Sequence, residues 1–70
     1  MEKIVLTGAA GRLGGYLREP LTKLCEELVS TDIHQDIGAL FKGETYIMAD
    51  LGNNDAMQSV IAGADMVVHF

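Results

Sequence analysis

Ile4-Val5-Leu6-Thr7-Gly8-Ala9-Ala10-Gly11-Arg12-Leu13-Gly14 is a short apolar run that breaks into three glycines spaced three apart and leads straight into a helical pattern. A strand followed at once by a helix needs a sharp turn, and glycine makes it without a Cβ in the way. The same turn lets the backbone approach an anion closely. It also aims the unpaired N-terminal N–H groups and the positive dipole end of the following helix at that anion. The stretch therefore reads as a cradle for a dinucleotide pyrophosphate. On the glycines alone, a tight turn that binds nothing is the alternative reading.

The surroundings supply the three features that such a cradle needs, namely a strand before it, a helix after it and an acidic residue about 20 positions on. The strand is 3–7. The helix carries Leu13, Leu17, Leu21 and Leu24 at helical spacing, and Asp32 closes a second apolar stretch, Leu28-Val29-Ser30-Thr31.

Strand and helix signals alternate along the rest of the chain, the pattern of a parallel α/β sheet. A helix is expected over about 11–24, a second strand near 27–31, and a polar connection through His34, Gln35 and Asp36 with an apolar patch at Ile37, Leu40 and Phe41. A third strand is expected over 45–49. Asn53 or Asn54 caps a second helix whose apolar face is Met57, Val60, Ile61 and Ala64, with Gly63 at its C-terminal end. A fourth strand follows over 66–70. Pro20 falls inside the first helix, where it removes a hydrogen bond and crowds a carbonyl, so the helix either kinks there or ends early. Leu21 and Leu24 continue the apolar face and favour the kink. The expected architecture is a doubly wound α/β sheet of order 3-2-1-4 with helices on both faces.

In that order the fourth strand lies at an edge and exposes Met66-Val67-Val68-His69-Phe70, an apolar row that invites pairing. Seventy residues also bury only about 60% of the unfolded chain's surface. Residues 1–70 are therefore expected to be the N-terminal part of a larger dinucleotide-binding domain whose catalytic and substrate parts lie elsewhere.

Composition narrows the partners. Hydrophobic residues make up 49% of the chain and the net charge is −5, which fits a globular protein and disfavours a nucleic acid partner. The lone Cys25 excludes an internal disulfide and a cysteine-based metal site, so no metal is expected and the setting is reducing. The apolar run at the N-terminus stops at the glycines, too short for a signal-peptide core or a membrane span. A cytoplasmic protein with no membrane partner is expected.

Thr7-Gly8-Ala9-Ala10-Gly11-Arg12-Leu13-Gly14, Asp32 at the end of strand two, Asp50-Leu51 after strand three and Asp65-Met66-Val67-Val68-His69 at strand four together resemble the N-terminal part of the extended short-chain dehydrogenase/reductase family, whose cofactor domain is a Rossmann fold. Within that family, the Thr-Gly-Ala-Ala-Gly form with Leu17-Arg18-Glu19 resembles uronate dehydrogenases and the related NAD-dependent sugar epimerases and dehydratases. The similarity runs over essentially the whole chain.

The resemblance implies a set of roles. Gly8, Gly11 and Gly14 form the pyrophosphate turn, with the backbone of Arg12 and Leu13 at the helix start. Arg12 adds a cation beside the phosphates or stays a solvated first-turn side chain. Asp32 accepts hydrogen bonds from the adenosine ribose hydroxyls, which suits NAD and repels the 2′-phosphate of NADP, with a plain turn aspartate as the other reading. Asp50 and Leu51 hold the adenine, with a loop carboxylate near a helix start as the other reading of Asp50, and Ile33 packs on the adenine face or is a half-buried loop residue. His69 reads as a strand-end histidine and His34 as a solvated one.

Chemistry in the family rests on a Ser or Thr and a Tyr-x-x-x-Lys pair, in which the lysine lowers the tyrosine pKa. Neither Tyr16 nor Tyr46 has a lysine four residues later, so no catalytic residue is assigned and the 70 residues alone are expected to be inactive. The implied function is the NAD-binding portion of a sugar oxidoreductase, acting on a small sugar substrate as a homo-oligomer and oxidising a uronate to an aldarolactone. The alternatives are a nucleotide-sugar epimerase or dehydratase, and a non-catalytic dinucleotide-sensing module.

Overall fold

The computed structural model describes residues 1–50 and 52–69. Strands β1 (Lys3–Thr7), β2 (Glu27–Asp32), β3 (Glu44–Met48) and β4 (Met66–Val68) form one sheet, with helix α1 (Arg12–Thr22) between β1 and β2 and helix α2 (Asn54–Ile61) between β3 and β4. All three strand pairings are parallel and the order is β3-β2-β1-β4. Val5 of β1 faces Val29 of β2 on one side and Val67 of β4 on the other, and Asp32 of β2 faces Met48 of β3. The expected doubly wound order is present.

Alternation along the two central strands makes a core on each face of the sheet. Ile4, Leu6 and Leu28 pack under α1 with Ala9, Leu17 and Leu21, while Val5 and Val29 pack with Ala49 under Val60 and Ala56 of α2. Ile4, Leu6 and Leu28 are fully buried, each worth about 1.5–3 kcal/mol relative to exposure.

Several boundaries differ from the sequence reading. Helix α1 begins at Arg12 with Gly11 as its N-cap and ends at Thr22, so Leu24 lies beyond it. The helix continues past Pro20 for two residues. It then tightens, with the N–H groups of Lys23 and Leu24 donating to the carbonyls of Pro20 and Leu21 at 3.2 and 3.0 Å. Leu13 and Leu24 leave the expected apolar face, being 62% and 58% exposed, because one sits at the helix start beside the glycine turn and the other past the last turn. Asn53 is the cap of α2, its side-chain oxygen accepting from the Ala56 N–H at 3.1 Å. Strand β4 ends at Val68, and Phe70, which the sequence reading placed in that strand, lies outside the described residues.

The sheet's bottom edge is fastened by Asp65, whose Oδ2 accepts from the backbone N–H groups of Glu2 and Lys3 at 2.8 and 3.0 Å. Those N–H groups, that of Lys3 first, hold the Asp65 carboxyl below its ordinary range. The Lys3 ammonium in turn donates to the Ala62 carbonyl at 2.8 Å, joining the end of α2 to β1.

A second fastening joins α1 to β3. Arg18 is buried and donates from Nε and Nη2 to the two oxygens of Glu44 at 2.7 and 2.8 Å. Glu44 also accepts from Ser30 Oγ and from the Phe41 N–H. Burial pushes the Glu44 carboxyl up, but the donors from Arg18, Ser30 and Phe41 and the guanidinium charge outweigh it and hold the carboxyl below its ordinary value. A carboxyl with a lowered folded-state pKa gives stability that is fully present above the usual glutamate range and lost as pH falls through the folded value. The melting temperature is therefore expected to fall on acidification below the ordinary glutamate pKa of 4.5, and Glu44→Gln to flatten that fall. An unchanged acid limb in Glu44→Gln, followed by circular dichroism, would show that Glu44 does not carry it.

Among the described residues no helix is long and apolar enough to cross a membrane.

Candidate cofactor site

The site lies at the C-terminal edge of the sheet, where β1 gives way to the glycine turn. Gly8 has φ +71°, a left-handed conformation open to glycine at no steric cost. The turn closes when the Gly11 N–H donates to the Gly8 carbonyl at 3.0 Å, and α1 starts there. At Gly14 a Cβ would stand 2.1 Å from the Gly8 carbonyl oxygen and 2.9 Å from its carbon. That glycine lets the first turn of α1 lie against the end of β1.

Helix α1 has no side-chain cap and no acidic residue in its first turn. Its N-terminal N–H groups and dipole are therefore left without a cap or an acid of the helix's own. Gly8, Gly11, Arg12, Leu13, Gly14, Asp32 and His34 together line an open cleft of about 480 Å³. Six of the residues expected from the sequence are thus brought together.

Asp32 ends β2 beside this turn. Its Oδ2 accepts from the Ala10 N–H at 3.0 Å and its Oδ1 from the Ile33 N–H at 2.7 Å, so the carboxylate is held by one backbone donor from the glycine turn and one from the residue that follows Asp32. A carboxylate accepts about four hydrogen bonds, which leaves capacity for hydroxyl donors. Ile33 and Asp50 line a neighbouring hollow of about 340 Å³ with Met48 and Ala49. The β2–β3 pairing of Asp32 with Met48 puts both hollows on the same sheet edge. Asp50 also accepts from the Gly52 N–H at 2.9 Å, and its carbonyl accepts from the Asn53 N–H at 3.0 Å on the way into α2. Leu51, the remaining expected site residue, lies outside the described residues.

His34 is the cleft residue that the sequence reading left as solvated. It is exposed but lines the cleft of the glycine turn, with Nε2 3.9 Å from Asp32 Oδ1, and its position two residues after the strand-ending acid was the available signal. His69 is a strand-end histidine, exposed, with Nδ1 2.7 Å from Thr7 Oγ1. Tyr46 is structural: its hydroxyl donates to the carbonyls of Asp32 and His34. Burial, with the Asp32 and Asp36 carboxylates adding to it, pushes its phenol up, away from the range of a general base. Among the described residues no group of three or more His, Cys, Asp or Glu side chains is placed to hold a metal ion.

A parallel sheet of order 3-2-1-4 with a glycine turn at the switch from β1 to α1 defines a Rossmann-type α/β unit. The chain is similar to uronate dehydrogenases. That of Pseudomonas putida is 38% identical over 68 residues, which are 97% of this chain and 25% of the relative. The crystal structure of a mutant uronate dehydrogenase from Agrobacterium tumefaciens, complexed with NAD, superposes with a TM-score of 0.91 at 33% identity over 100% of this chain and 26% of that one. A short-chain dehydrogenase/reductase superfamily protein from the same organism with bound NAD gives a TM-score of 0.80 at 25% identity, over 99% of this chain and 20% of that one. The chain thus spans about a quarter of the length of the relatives it matches. No family model matches it. The resemblance to uronate dehydrogenases and to short-chain dehydrogenases read from the sequence is borne out.

Proposed function

We propose that this chain is the NAD-binding portion of an NAD-dependent sugar oxidoreductase that oxidises a uronate. The observation that carries the proposal is the single cleft in which the closed turn Gly8, Gly11 and Gly14 meets the backbone-held carboxylate of Asp32. Bound NAD would supply the hydride acceptor. The residues fit it: the Gly14 contact excludes a Cβ where backbone must lie close, and the uncapped start of α1 suits a pyrophosphate. Arg12 and Leu13 offer backbone N–H groups there, Asp32 takes the adenosine ribose hydroxyls, and Ile33 with Asp50 borders the adenine. Leu51 is proposed beside Asp50 on sequence alone. The uronate substrate is supported by the relatives' activity. The proposal is completed by a cytoplasmic homo-oligomer with neither nucleic acid nor membrane as partner, the acidic net charge of −5 supporting the exclusion of nucleic acid. These 70 residues are proposed to need the rest of the protein for turnover.

The direct test is NADH formation by the native-length protein supplied with NAD and a uronate. Accumulating NADH supports a dehydrogenase, and its absence with every uronate tried would defeat that reading. Asp32→Ala is expected to weaken NAD binding about 10- to 100-fold, the worth of hydrogen bonds to a charged group, and to narrow the preference for NAD over NADP. Competitive titration of both cofactors checks this, and an unchanged preference removes Asp32 from the ribose role.

A further inference from the structure

The loop over residues 33–43, between β2 and β3, begins with Ile33, which lines the hollow beside Asp50, and His34, which lines the glycine-turn cleft. This loop is tied from α1 by Arg18. While Nε and Nη2 are held by Glu44, Nη1 donates to the Ile37 carbonyl at 3.3 Å and Nη2 also to the Ala39 carbonyl at 2.9 Å. The guanidinium lies 5.3 Å from the centre of the Phe41 ring. Arg18 also lines a hollow of about 380 Å³ together with Ala9 and Ala10 of the glycine turn, Gly15 of α1, and His34, Asp36 and Ile37 of the loop.

We propose that Arg18 is a positioning residue for the adenosine end of the cofactor: by bonding the Ile37 and Ala39 carbonyls it sets the loop 33–43, and with it Ile33 and His34, against the glycine turn. The inference rests on the reading that this sheet edge binds NAD. The planar fork of arginine is needed, because it serves a carboxylate on one edge while its other N–H groups reach two separate carbonyls, whereas a lysine ammonium has three donors at one point. Arg18 does not itself line the glycine-turn cleft, so its loss is expected to act through the loop on binding of the ADP-ribose part.

The test uses the native-length protein, with binding of NAD and of ADP-ribose measured by titration and KM and kcat measured for NAD turnover. Arg18→Lys is expected to weaken both ligands about tenfold or more, in line with the cost of small misplacements at a binding site, and to raise KM for NAD with kcat unchanged at saturation. Arg18→Met alone strands the buried Glu44 carboxylate, so Arg18→Met/Glu44→Gln, which keeps an acceptor for Ser30 Oγ and the Phe41 N–H, serves as the second variant. It removes the ion pair without leaving a lone charge, and it is expected to fold and to show the same loss for ADP-ribose. ADP-ribose affinity within about twofold of wild type in either variant overturns the inference, as does a fall in kcat with KM unchanged. Wild-type protein that binds no NAD overturns the cofactor reading itself, a failure recognisable before any variant is made.

Discussion

Replacing Gly14 with alanine is expected to eliminate NAD binding by the native-length protein and to lower its melting temperature sharply. The added Cβ would lie 2.1 Å from the Gly8 carbonyl oxygen, 2.9 Å from its carbon and 3.1 Å from the Ala9 Cα. All three are backbone atoms, so no rotamer change relieves the contact. The start of α1 has to move off the end of β1, which opens the cradle that the pyrophosphate needs. Overpacking a well-fitted interior costs about 1–3 kcal/mol, and a backbone contact this short puts Gly14→Ala at or above the top of that range. Neighbouring glycines provide the contrast. At Gly11 a Cβ would stand 3.3 Å from the same oxygen, and at Gly15 it would stand 3.9 Å from the Ala9 carbonyl oxygen. Gly15→Ala, inside α1, is expected to gain about 0.5–1 kcal/mol from helix propensity. Thermal melts and NAD titrations of the two variants check the pair, and a Gly14→Ala protein that melts and binds like wild type would contradict this account of the turn.

The second large effect is expected at Glu44. Its side chain is fully buried and its oxygens take donors from Arg18, Ser30 and the Phe41 N–H. Glu44→Ala removes the acceptor and leaves the Arg18 guanidinium buried without its carboxylate, a change worth about 3–5 kcal/mol. Domains are stable by only about 5–15 kcal/mol in total, so the variant is expected to be largely unfolded or to melt far below wild type. Glu44→Gln keeps the shape and part of the bonding, and its loss is expected to be smaller. A Glu44→Ala protein with an unchanged melt would show that the cluster contributes nothing net.

The fold was legible where the sequence repeats a local rule. The buried run 4–7, the three glycines and the second apolar stretch ending in Asp32 announced the central strands, and the glycines with Asp32 also line the cleft. The pair Asn53 and Asn54 announced α2 because an asparagine cap has a local signature, and the hydrogen bond to the Ala56 N–H picks out Asn53. The Arg18–Glu44 cluster was not legible: the partners are 26 positions apart, and no spacing rule links a charge inside one helix to the first residue of a later strand. Leu13 misled because periodicity alone cannot tell a core position from one beside an open cleft. Leu24 misled because the apolar pattern ran on past the point where the backbone stopped being helical. The steric ranking of Gly14 over Gly11 likewise needed coordinates, since both occupy motif positions and only the packing of α1 on β1 separates them.

The most direct test of the central claim is an equilibrium titration of the native-length protein with NAD and with NADP. A cleft built from the Gly8–Gly11–Gly14 turn and the Asp32 carboxylate predicts saturable NAD binding and clearly weaker NADP binding, because a 2′-phosphate beside that carboxylate meets like charge. Binding of neither dinucleotide, or equal affinity for both, would contradict it.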